Sequence, residues 1–154
     1  MQATGSIIAV ERNDLHDGET FTLSDGINLP KVFEFDEDGD PGSVGPGRVR
    51  VPIWNTAGAS DVARAMVSAI NATAGLSLKA EQNFNPAMVI LTNITTAPRA
   101  GAFGNQRITE TVANPGFKAN GMAGGEASDC PAGMACMYGA DCASGNCTNG
   151  VCVQ

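Results

Sequence analysis

Five cysteines stand within the last 25 residues of a 154-residue chain that has none before them: Cys130, Cys136, Cys142, Cys147 and Cys152. The gaps between them run five, five, four and four residues. Zinc sites favour two close CxxC-type pairs, because two thiolates must reach one tetrahedral ion from a single tight turn. The cluster contains no such pair, and no histidine lies near it. Gly, Ala, Ser, Asn and Asp fill the gaps and cannot build a core, so disulfides are the better reading. Five is odd, so two bridges leave one thiol over. Cys130 is the expected odd member, since it stands where the glycine-rich "GMAGGEASD" meets the evenly spaced repeat.

Disulfides persist in oxidising compartments, and the expected location is therefore extracellular or at a cell surface. The opening "MQATGSIIAV" has neither the basic nor the apolar region of a signal peptide, so the expectation is a mature form. No apolar run approaches the ~20 residues that cross a bilayer, and membrane insertion is not expected. The net charge of −7 argues against nucleic acid. The charge is unevenly placed: residues 11–40 hold ten acidic side chains against Arg12 and Lys31, and residues 119–154 contain no Lys or Arg.

The body reads as short strands separated by glycine turns. "SIIAV" (6–10), "TFTL" (20–23), "KVFEF" (31–35) and "RVRVPIW" (48–54) are β-branched or aromatic, and the last three alternate. In "RVRVPIW", Val49, Val51 and Ile53 share one face, and Pro52 favours a strand end or an edge. "SDVARAMVSAINATAG" predicts a helix near 60–73, with Ser60 as N-cap, Val62, Met66, Ala69 and Ile70 in one stripe, and Gly75 as its stop. "LSLKAEQ" (76–82) and "MVILTN" (88–93) predict a hairpin, and "RITETV" (107–112) a last strand. Trp54 is expected as a core anchor. The fold class is α+β, a mostly antiparallel sheet with one packed helix and a small disulfide-rich C-terminal tail. The expected division is a β-rich domain over 1–118, a glycine-rich linker over 119–129 and a disulfide module over 130–154.

"ETFTLSDGINLPKVFEFDEDGD", "DVARAMVSAINATAGLSLKAEQ", "MVILTNITTAPRAGAFGNQRITETV" and "GFKANGMAGG" together resemble a domain that recurs in predicted secreted bacterial surface proteins and some virion-like structural proteins. A helix ending in "AIN" before a hairpin is also similar to the hook-associated IN motif of flagellins. The tail resembles short cysteine modules at the ends of secreted bacterial proteins. The resemblance, over residues 18–125, implies a structural or adhesive module and no catalytic residue.

Ligand chemistry is concentrated in "DEDGD", where Asp36, Asp38 and Asp40 alternate as in calcium loops that begin DxDxD. Pro41 and Gly47 stand where an EF-hand needs glycine and a bidentate glutamate, so the plain alternative is a solvated turn. His16 is the only histidine. It sits in the turn "LHDG" with no GxSxG-type nucleophile motif, so catalysis is not expected. The expected function is a non-enzymatic, self-associating subunit of an extracellular filament or surface assembly, needing no cofactor and having copies of itself as partners. A monomeric calcium-dependent adhesion module with a surface or matrix partner is the alternative.

Overall fold

The computed structural model describes residues 2–94, 105–125, 132–136, 142, 144 and 146–154. Within them, β1 (Thr4–Ile8), β5 (Leu78–Gln82), β6 (Met88–Asn93) and β8 (Lys118–Ala123) form one sheet in the order β5-β6-β1-β8. A second sheet contains β2 (Thr20–Leu23), β3 (Lys31–Asp36), β4 (Val49–Pro52) and β7 (Thr109–Glu110), in the order β4-β3-β2-β7. The helix α1 (Ala59–Ala72) packs on β5 and β6 of the first sheet and on β4 of the second, so it ties the two together. The fold is therefore α+β and mostly antiparallel, as the patterning implied.

One pairing is parallel. β3 and β4 run in register Phe33↔Val49 through Asp36↔Pro52. Segment 37–48 carries the chain back along the sheet, meeting the dozen or so residues a parallel connection requires without using a helix. β4 is an edge strand that ends at Pro52, where a missing N–H costs nothing.

Alternation sends Phe21, Leu23, Phe33, Phe35, Val51 and Ile53 into a core shared with Ile7, Val89 and Leu91 of the other sheet. Phe21 lies opposite Phe33 in register, and their rings stack at 4.9 Å. Phe117 closes the cluster edge-on to Phe35 at 5.9 Å. From α1 come Val62, Ala63, Met66 and Ile70, with Ala69 only partly buried.

Several local expectations change. α1 begins after Gly58 with no side-chain cap, so Ser60 already lies inside the helix. Asp61 takes over at that end, accepting from the Ala57 N–H at 3.2 Å. The helix stops at Ala72, and Gly75 serves the following turn at φ +71°. Trp54 is 48% exposed. Ile53 occupies the inward position after Val51, which leaves Trp54 to face out. Residues 119–123, expected to begin the linker, belong instead to β8 beside β1, where Met122 and Ala123 are buried. The main body thus runs past residue 118.

Two polar anchors hold the layers. The Asn71 side chain donates to the Ala80 carbonyl and accepts from the Ala80 N–H, both at 2.9 Å, which fastens the end of α1 to β5. Asp25 is fully buried between the β2–β3 loop and the start of β5. Burial opposes its charge, but the Asn28 side chain and the N–H groups of Asn28, Ser77 and Ile27 donate to it. These bonds outweigh desolvation and lower its pKa from 3.8 to about 2. A carboxylate depressed in the folded state stabilises above its unfolded pKa and loses that contribution as pH falls towards the folded one. We expect Asp25→Asn to cost about 2 kcal/mol at pH 7. The gap to wild type should close between about pH 4 and pH 2, as measured by denaturant titration across pH.

Candidate functional site

The acidic loop leaves β3 on a face already crowded with charge. Phe33 and Phe35 point inward, so Glu34 and Asp36 point outward, and both are nonetheless buried. Arg50, on the face of β4 away from the core, and Arg48, just before that strand, cover them: Arg48 Nη1 lies 2.7 Å from Glu34 Oε2, and the Arg50 guanidinium is ion-paired with Asp36. Arg50 also donates to the Gly39 carbonyl at 3.2 Å, and the Gly45 N–H donates to Glu34 at 3.1 Å, folding the loop back over the strand.

Within "DEDGD", each carboxylate caps its own turn. Asp36 accepts from the Gly39 N–H at 2.8 Å, Asp38 from Asp40 at 2.7 Å and Asp40 from Gly42 at 2.8 Å. Carboxylate oxygens of Asp36 and Asp38 come within 4.8 Å of one another together with Asp17, not Asp40. Asp17 lies in the turn before β2, and its Oδ1 accepts from the Glu37 N–H at 3.1 Å. "HDG" reads locally as a plain turn. Only the β2–β3 pairing brings it beside the second acidic turn. Trp54 covers this loop from outside, so close that a Cβ on Gly39 would sit 3.2 Å from its Cγ. The carboxylate set suits a hard cation in ligand type, but Arg50 already neutralises its most buried member.

The tail contains two interleaved disulfides, Cys136–Cys147 and Cys142–Cys152. They bury Cys136, Cys142 and Cys152 in a small cluster of their own with Met134. Strands β9 (Cys147–Thr148) and β10 (Val151–Cys152) form a short hairpin, and Ala135 bridges to Val151. Asn149 and Gly150 make its turn at φ 52° and 74°, the left-handed pair a two-residue hairpin demands. Four of the five cysteines are therefore paired. Cys130 lies outside the described residues.

The tail also rests against the body. A Cβ on Gly121 of β8 would meet the Ala135 Cβ at 3.0 Å, so a side chain there would push the tail back by a few tenths of an ångström. An open cleft of about 350 Å³ lies along the seam, lined by Arg107, Asn120, Gly121, Cys136 and Gly150 among others.

His16 is exposed, with Nδ1 3.5 Å from Glu19. Asn-X-Thr patterns begin at Asn71, Asn93 and Asn146, and the first two asparagines are already engaged: Asn71 by Ala80, and Asn93, buried, by the Asp25 carbonyl at 3.0 Å. Large apolar side chains also stand exposed at loop tips, where strand alternation carries no signal. Phe84 in the β5–β6 turn is fully exposed, and Leu29 in the β2–β3 loop is 83% exposed.

No known protein-family model matches the chain, and no curated protein is significantly similar to it.

Two outcomes follow from this geometry. With Asp36 held by Arg50, calcium should bind no tighter than about the millimolar range, and Asp38→Asn should abolish what binding there is. Calorimetry that saturates at micromolar calcium would show the loop to be a dedicated site. Each tail bridge should contribute roughly 2–4 kcal/mol to tail order. Reduction should therefore open residues 132–154 to protease while the midpoint of core unfolding shifts little.

Proposed function

We propose that the chain is a non-enzymatic, self-associating structural subunit of an extracellular filament or surface layer. The observation that carries this reading is the exposure of large apolar side chains on loops held by a rigid scaffold: Phe84 and Leu29, with Ile27, Trp54 and Ile94 about half exposed. Apolar groups held out in water gain free energy when another surface covers them. The loops that present them are pinned by side-chain bonds, Asp25 beneath 27–29 and Asn85 within 83–87, so little ordering entropy opposes contact. The two disulfides support an oxidising location outside the cell.

Cys130 adds a covalent route. The other four cysteines are bridged to one another, which leaves Cys130 as the cysteine that would pair with a second copy. A contact held by both apolar burial and a disulfide resists dilution.

The approach of Asp17 to Asp36 and Asp38 favours the alternative, a monomeric adhesion module that takes calcium at the acidic turn. Sedimentation of the purified full chain in oxidising buffer separates the two readings. Concentration-dependent oligomers are expected, and a monomer at every concentration up to about a millimolar would sink the subunit reading. On non-reducing electrophoresis, a dimer band should disappear with reductant and in Cys130→Ser. A monomer band with one alkylatable thiol would remove the covalent contact.

A further inference from the structure

The exposed apolar groups divide between two opposite ends of the body, and strand direction shows which belong together. β1 ends at Ile8 opposite Met88, so the β5–β6 turn with Phe84 lies at the end where β1 finishes. There Arg12 reaches across the two sheets, donating to Glu37 at 3.0 Å and to the Trp54 carbonyl. Phe84, Trp54 and the acidic loop therefore share one end. At the other, Asp25 binds Ser77 and its carbonyl accepts from Asn93, which places Ile27, Leu29 and Ile94 together.

The two ends differ in charge. At the end with Phe84 and Trp54 stand the exposed carboxylates of Glu11, Asp14, Asp17, Asp38 and Asp40, which outnumber the cations there, Arg12 and Lys118. Near Leu29 stands Lys31, with exposed Arg107 on the β7 edge of the same end; Arg48 is taken up by its ion pair with Glu34, and Asp25 is buried and hydrogen-bonded. An end rich in carboxylates and an end carrying cations attract each other and repel their own kind.

Resting on the self-association reading above, we propose that copies join head to tail. The acidic end with Phe84 and Trp54 seats on the next copy's Leu29 and Ile27, and Lys31 and Arg107 face its carboxylates. Such a contact uses two different patches, so every joined copy still offers one free end of each kind. Repetition builds an open filament, or a ring if the rotation closes.

The test is sedimentation velocity in a Cys130→Ser background, which keeps disulfides out of the contact. Phe84→Asp and Leu29→Asp each spoil one end, and unchanged thermal midpoints verify that both fold. Phe84→Ala provides a second, uncharged version. Each variant alone should associate at least about tenfold more weakly than the parent. An equimolar mixture of Phe84→Asp and Leu29→Asp should form a two-chain species, because each supplies the end the other lacks. Raising salt from about 0.05 to 0.5 M should weaken assembly of the parent. If the parent assembles and both variants assemble equally well, the contact lies elsewhere and self-association stands. If each variant is blocked and the mixture stays monomeric, the contact is not head to tail. A parent that never associates overturns both readings.

Discussion

The outward face of β3 poses the problem that the rest of the molecule answers. Its inward residues, Phe33 and Phe35, are committed to the aromatic core, so strand geometry sends Glu34 and Asp36 to the other side. Buried carboxylates of this kind are tolerated only when paired and hydrogen-bonded. Arg48 and Arg50 satisfy them, brought there by the parallel register of β4 on β3. The long return loop, its fold over Glu34 through Gly45, and the arrest of the acidic turn beside Arg50 follow from that pairing. The same arginine makes the "DEDGD" turn a weak place for a cation.

Polar contacts of high sequence separation fix the remaining geometry. Asn71 sets α1 against β5, Asp25 joins the β2–β3 loop to the other sheet, and Arg12 joins the sheets at the opposite end. Each sits where two loops or a helix end would otherwise move independently. Asp25 thereby also holds the backbone beside Leu29, while the turn that carries Phe84 is held by its own Asn83 and Asn85 side chains. A rigid display of apolar groups suits repeated contact between copies better than a flexible one, since less entropy is lost on joining.

The tail solves a different problem. It has too few apolar residues for a core, and its interior is mostly the sulfur of its own bridges. Its contact with the body includes Gly121, where a Cβ would press on Ala135 at 3.0 Å. A glycine in an edge strand usually marks such a close backbone approach. Here it joins a module stabilised by crosslinks to a domain stabilised by burial.

Much of the architecture was legible in local pattern. The alternation of "TFTL" and "KVFEF", the apolar stripe of α1 and the 76–93 hairpin depend on neighbours in sequence, and β2, β3, β5 and β6 lie where those patterns put them. The cysteine spacing likewise pointed to crosslinks and to Cys130 as the one left out of them. Their connectivity did not follow, because every gap is about the same length and any pairing closes a feasible loop. What only the tertiary structure decided was which distant segments meet. The parallel β3–β4 pair, the meeting of Asp17 with Asp38, the outward turn of Trp54, and the strand that takes in 119–123 in place of a linker all arise from contacts across the sheets. Side-chain period states which face a residue takes. It carries no information about what will cover that face, because the covering group is brought there by the path of the whole chain.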